Sequence, residues 1–228
     1  NGATAVTVTL NTPAGRDITV HLAKSGTATD INDYALPNAI TILEGQTVVA
    51  VMLTAVSDAL DEFNETAIID IDTVVNGAEN GQQQKTVSIT DDDDLPTVTL
   101  AFADATVIEG SSSTIQNTTT VVASLSAISG RDVVVTLQKS GTALEFADYN
   151  LSNTLTILTG NPSGNVTFSI LGDTTDEVVN ETVTVEIIGV VNGTEFAEQA
   201  TTTTIVDDDN PPKVTLSVVT ATLNEESG

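Results

Sequence analysis

Residues 15–34 read GRDITVHLAKSGTATDINDY, and residues 130–149 read GRDVVVTLQKSGTALEFADY, twelve identities at a constant offset of 115. The echo runs on through SDALDEFNET (57–66) against GDTTDEVVNET (172–182), where one extra residue makes the offset 116. It continues through VVNG (74–77 and 190–193) and ITDDDDLPTVTL (89–100) against IVDDDNPPKVTL (205–216). Solenoid repeats have periods of roughly 20 to 50 residues, so a repeat this long is a whole domain copied in tandem. The chain therefore has to fold as an array, and each copy is long enough to bury a core of its own.

Within each copy, apolar residues alternate with polar ones: Val6, Val8, Leu10; Ile18, Val20, Leu22; Val49, Val51, Leu53; Ala67, Ile69, Ile71. The second copy keeps the phase at Val133, Val135, Leu137; Val166, Phe168, Ile170; and Val183, Val185, Ile187. A period of two means strands with one face buried, and Val and Thr suit such sheets. Turn sequences (AGRD or SGRD, KSGT, VVNG) punctuate the runs, and no helix of normal length is expected. About seven short strands per copy predict an all-β fold of tandem immunoglobulin-like antiparallel β-sandwiches. The expected domains are 1–94, lacking its first strand; 95–209, complete; and 210–228, a linker with the first strand of a third repeat. The joints, DDDDLP (91–96) and DDDNPP (207–212), read as short stiff connections.

The register of the repeat fixes that incomplete first copy. Copy two opens with a strand expected over Thr97–Glu109, whereas Asn1 aligns with Gln116, so copy one has no counterpart. Lys213–Gly228 (KVTLSVVTATLNEESG) is the same strand a third time. Two readings stand: the sequence is an excerpt of a longer array, or the end strand of one chain completes the open first sandwich of another. The expected partners are accordingly neighbouring repeats or other copies of the chain.

Charge narrows the function. Thirty-two acidic residues face six basic ones, a net charge of −26, which disfavours nucleic acid and anionic membrane surfaces and favours cations. With no cysteine, disulfides and thiolate chemistry are excluded. No apolar run reaches the roughly 18 residues of a membrane span.

The acids collect at strand ends. The ordered set is EG after the first strand, GTA…DY, then D…DE..NET and a terminal Asp run, twice over. This succession resembles the Calx-beta domain, the Ca²⁺-binding sandwich of sodium–calcium exchangers and of bacterial surface repeat proteins. The resemblance covers nearly all of copy two and most of copy one. It implies Ca²⁺ as cofactor, with ligands Glu109, Asp148, Asp173, Glu177, Glu181, Asp207, Asp208 and Asp209 in copy two. In copy one it implies Asp33, Asp58, Glu62, Glu65, Asp91, Asp92 and Asp93, and Glu225 as the first-strand glutamate of the third repeat. Two departures from the family pattern stand out: the loop glutamates are three apart in copy one and four apart in copy two, and Asn32 or Ala147 replaces the glycine often found before DY. Independently of any family, hard cations take six to eight oxygen ligands, and crowded carboxylates without one repel each other.

His21 lies on an exposed strand position and has Thr136 as its counterpart, so histidine catalysis is not expected. Asp61 and Glu62 form an acid pair, but aromatic residues make up 3% with no Trp, too few for a sugar-stacking cleft, and no enzyme activity is expected. Tyr34 and Tyr149 read as packing residues, and the repeated Arg16/Arg131 and Lys24/Lys139 as local ion pairs near turns. The expected function is an extracellular or bacterial cell-surface, Ca²⁺-rigidified repeat segment of a stalk, adhesin or filament. The alternative is a cytosolic Ca²⁺ sensor of the exchanger type.

Overall fold

A computed structural model describes residues 2–111, 115–177, 179–219 and Glu225. Every regular element among them is a strand, and they group into two compact units.

Unit 1 comprises Asn1–Pro96 with Ser126–Asp132 and Leu158–Pro162. Its strands are β1 (Ala3–Thr9), β2 (Ile18–Gly26), β3 (Tyr34–Ala35), β4 (Ala39–Ile42), β5 (Val48–Ala55), β6 (Glu65–Val75) and β7 (Gln84–Ile89). They form two antiparallel sheets, β1-β5-β3 and β4-β2-β6-β7. The alternation puts Ile18, Val20, Ile40, Ile42, Ala67 and Ile69 inside, as a one-sided pleat requires. Their core divides into two clusters, one around Tyr34, Leu36 and Leu53, the other around Ile18, Val20 and Ile42.

Unit 2 comprises Thr97–Leu125, Val133–Ile157 and Ser163–Gly228. Its strands are β8 (Thr97–Phe102), β9 (Thr106–Ile108), β10 (Ile115–Leu125), β11 (Val133–Gly141), β12 (Tyr149–Leu151), β13 (Thr154–Ile157), β14 (Ser163–Leu171), β15 (Glu181–Val191), β16 (Thr194–Glu195) and β17 (Ala200–Val206). Two five-stranded sheets result, β12-β14-β10-β8-β16 and β13-β11-β15-β17-β9. One continuous core joins them, from Val98 and Leu100 through Val121, Phe168 and Val185 to Ile205. Tyr149 stacks on Phe168 at 5.1 Å and Phe102 meets it edge-on at 5.4 Å, geometries that aromatic quadrupoles favour.

The strand expected over Thr97–Glu109 is two strands, one in each sheet. β8 pairs antiparallel with β10, the chain turns at 103–105, and β9 pairs parallel with β17. Asp104 holds the corner: its carboxylate accepts from the Thr119 hydroxyl at 2.6 Å and its carbonyl from the Thr203 hydroxyl at 2.9 Å. Alternation persists through such a switch, so the pattern does not reveal it. Of the strand expected over Lys213–Gly228, residues 213–219 are exposed and lie outside any sheet. A strand without a ladder partner gains nothing for its ordering entropy. Residues 220–224 and 226–228 of that expectation lie outside the described residues.

The repeated KSGT turn has a steric cause. Gly26 and Gly141 have φ of +116° and +130°, and a Cβ there would lie 2.0 Å from the Thr66 carbonyl oxygen and 2.1 Å from that of Thr182. No other residue fits so close an approach. The two lysines behave as expected: Lys24 pairs with Asp30, and Lys139 with Glu145. Arg131, by contrast, pairs with the distant Asp61. Asp61 is buried and also accepts from the Ser129 hydroxyl at 3.1 Å. All three residues belong to unit 1.

Candidate metal centre

In unit 1 one oxygen from each of Asp33, Glu62 and Glu65 lies within 4.8 Å of the others. Asp33 is held by its own turn, its Oδ2 accepting from the Thr29 amide at 2.5 Å and hydroxyl at 2.7 Å. Glu65 opens β6, and Glu62 sits in the preceding loop. That loop is ordered in part by Asp58, which accepts from the Leu60 amide at 2.9 Å. Asp91, Asp92 and Asp93 join Asp33, Asp58, Glu62 and Glu65 around a small cavity of about 50 Å³, which Val56, Phe63 and Ile89 also line, and Asp33, Asp58, Glu62 and Glu65 border a more open space of about 620 Å³ as well. Burial, then the charges of Asp58, Asp33, Asp91 and Asp93, push the Glu62 carboxyl above its ordinary range. Burial, then Asp33 and Glu62, do the same to Glu65.

In unit 2 Glu109, only 5% exposed, follows β9. Its pKa is pushed up to about 7, first by burial and then by Glu177, Asp173 and Asp207, against a lowering backbone hydrogen bond at Asp173. Glu181, which opens β15, also rises to about 7 through burial, a hydrogen bond with Asp148 and the charges of Asp148, Glu177 and Glu109. Glu177 rises through burial and the charges of Asp148, Asp173, Asp207 and Asp209. Asp207 accepts from the Glu177 amide at 3.3 Å and from the Asp209 amide at 3.2 Å. Asp148 repeats the turn of Asp33, accepting from the Leu144 amide at 2.6 Å. Asp173 accepts from the Thr175 amide at 2.6 Å. Asp208 points elsewhere, to the Gly110 amide at 2.9 Å.

Seven of the eight carboxylates named for copy two thus act on one another. The tight triad of unit 1 does not recur among the described residues of unit 2, where the extra residue separates Glu177 from Glu181. Glu225 is exposed and in no such group. The sequence reading did not anticipate Asp61 as a buried structural acid. Its neighbour Glu62 faces the cavity, and adjacent residues with opposite roles are what an extended backbone produces.

These residues fit a hard divalent cation. The donors are all carboxylate oxygens, the ligands that hard cations such as Ca²⁺ take, with none of the nitrogen or sulfur that zinc sites ordinarily include. Asp209 Oδ2 is buried without a hydrogen-bond partner, which would otherwise carry a desolvation cost. The three ion pairs among the described residues use Asp30, Asp61 and Glu145, so no candidate ligand is paired with a protein cation there.

No protein-family model matches the chain, and no curated protein matches it. Among solved structures, CBD12 from CALX1.2 is similar at 18% identity and TM-score 0.36, over 83% of this chain and 74% of that one. The calcium binding domain CBD12 of CALX1.1 gives 20% and 0.36, over 81% and 73%. A red sea bream transglutaminase gives 13% and 0.25, over 91% of this chain and 29% of its own.

Proposed function

We propose that this chain is a Ca²⁺-stabilised, non-enzymatic tandem-repeat segment of a stalk, adhesin or filament, extracellular or on a bacterial cell surface. The observation that carries the reading is a pole of acids in each unit that have no ion-pair partner among the described residues, while the few lysine and arginine pairs are spent on other acids. A cation supplies the missing charge, ties loops to strand ends and stiffens the pole. The near-equivalence of the two copies in sequence pattern favours an array over a sensor, which works by contrast between unlike domains.

Calorimetric titration of chelator-treated protein with Ca²⁺ tests this. Binding is expected at about 10⁻⁴–10⁻³ M, the range of extracellular modules, with stabilisation of roughly 2.7 kcal/mol at a hundredfold excess over Kd. Submicromolar affinity would instead mean a sensor, and no heat with no change in melting would remove the calcium reading.

A further inference from the structure

We propose that the parallel ladder between β9 and β17 is a shear clamp through which unit 2 bears tension along the chain. Such a clamp lets a stalk, adhesin or filament segment hold under load, so it rests on that reading, and it does not need calcium.

The chain enters unit 2 at Thr97 and leaves its last strand at Val206, and these two places lie at opposite ends of the sandwich. β10 is the ruler. Val98, beside the entry, pairs with Leu125 at one end of β10, and at the other end Asn117 Nδ2 donates to the Ile108 carbonyl at 2.7 Å. Val206 pairs with Ile108, so the exit shares that far end. Tension in the chain on either side of unit 2 therefore runs along the strands.

Strand direction decides how such tension is met. β9 and β17 run parallel, with Thr106 opposite Thr204, Val107 opposite Ile205 and Ile108 opposite Val206. The Thr204 amide donates to the Ala105 carbonyl at 3.0 Å and the Glu109 amide to the Val206 carbonyl at 2.9 Å, one at each end of the ladder. β9 is drawn toward the entry through β8, and β17 is drawn toward the exit. Pulling thus slides one strand along the other and strains all the bonds together, whereas peeling would break them one at a time. Forced unfolding is governed by the height of the unfolding barrier, and a barrier that needs several bonds to fail at once is the higher one.

Other contacts keep the clamp seated. The Asp104 corner ties the crossover to Thr119 of β10 and to Thr203 of β17. On its far side β17 is held by β15, from Glu181↔Ile205 to Glu186↔Ala200. Ile205 is buried and Val107 packs partly against the core, which keeps water from replacing the ladder bonds from that face. Just past the ladder the Gly110 amide donates to Asp208 Oδ1 at 2.9 Å.

The chain has no cysteine, so pulling handles go onto chosen cysteine pairs in the full chain. Leu95→Cys/Asn210→Cys, both exposed, loads the ladder in shear. Val179→Cys/Asn210→Cys opens the same strand by peeling, because Val179 lies just before the Glu181↔Ile205 end of the β15–β17 pair. In single-molecule force spectroscopy in chelator, the lifetime of unit 2 at equal load is expected to be about a hundredfold longer in shear, the product of several bonds broken together. Val107 lies two residues before Glu109, so its amide points at β17 as well, and Val107→Pro should shorten the shear lifetime about fivefold or more. Leu137→Ala weakens unit 2 from within the core and should change the shear lifetime less than Val107→Pro does. Equal lifetimes in the two geometries, or a Leu137→Ala effect on shear as large as that of Val107→Pro, would overturn the proposal. A clamp that holds in chelator and gains nothing from Ca²⁺ would count against the calcium reading alone, and calcium binding beside equal lifetimes against the clamp alone.

Discussion

Units 1 and 2 descend from one sequence pattern, yet unit 2 has a single continuous core and unit 1 has two clusters with a groove between strands. The largest difference is β8 with β9, one segment that crosses from one sheet to the other. In unit 2 this segment contributes Val98, Leu100 and the partly buried Phe102 and Val107 to the core. Alternation alone makes two amphipathic sheets. A segment shared by both turns two apolar faces into one interior, because it covers the edge of each where side chains would otherwise meet water.

The comparison breaks most sharply at equivalent leucines. Leu137 is 3% exposed, and Leu137→Ala is expected to cost about 2–5 kcal/mol. Leu22 lines the groove and already meets solvent, so Leu22→Ala should cost about 1 kcal/mol. Calorimetry that resolves the two unfolding transitions reads both numbers. Equal losses would mean that the groove is closed in solution and that unit 1 is as complete as unit 2.

The sequence pattern carries the strand phases, the turns and the doubling, because periodicity and glycine placement are local signals. Val20 and Ile69 point inward and the KSGT glycines take positive φ as the chain alone indicates. What it does not carry is non-local. Nothing between Thr97 and Glu109 marks the crossing at Asp104, since both halves alternate. The Arg131–Asp61 pair spans 70 positions, and the repeated GRD motif suggested local partners instead. For the site, residue type and position at strand ends foretold the acidic poles. Orientation was beyond it: Asp208 turns to the Gly110 amide while Asp207 and Asp209 act on the loop acids.

The poles provide a second, smaller contrast, in pH. Glu109 and Glu181 of unit 2 rise from 4.5 to about 7, so the ion-free folded state holds protons that the unfolded chain has released. Its stability is therefore greatest at low pH, falls as pH rises from about 4.5 to about 7, and levels off above. Among the described residues of unit 1 no acid stands in the place of Glu109, and its transition should fall less. Saturating Ca²⁺ reverses the sign in unit 2, because protons then compete with the ion for the same oxygens. Melting in chelator and in Ca²⁺ between pH 5 and 8 checks this, and a unit 2 transition that climbs with pH in chelator would contradict it.

The smallest expected effect is also the control. Lys24 donates to Asp30 at 2.7 Å and to the Leu36 carbonyl, and Lys139 donates to Glu145 and, at 2.9 Å, to the Leu151 carbonyl. Both lysine side chains are about 10% exposed and neither lines the groove. Lys24→Met and Lys139→Met keep the aliphatic stem and remove the charge, for an expected loss of about 1 kcal/mol each. The two losses should agree within a few tenths of a kcal/mol, the usual scatter for independent sites. Agreement here beside disagreement at Leu22 and Leu137 confines the asymmetry to the core that β8 and β9 cover in unit 2. A Lys24 loss far below that of Lys139 would instead mean that unit 1 is looser throughout, and that filling its groove alone cannot make it the equal of unit 2.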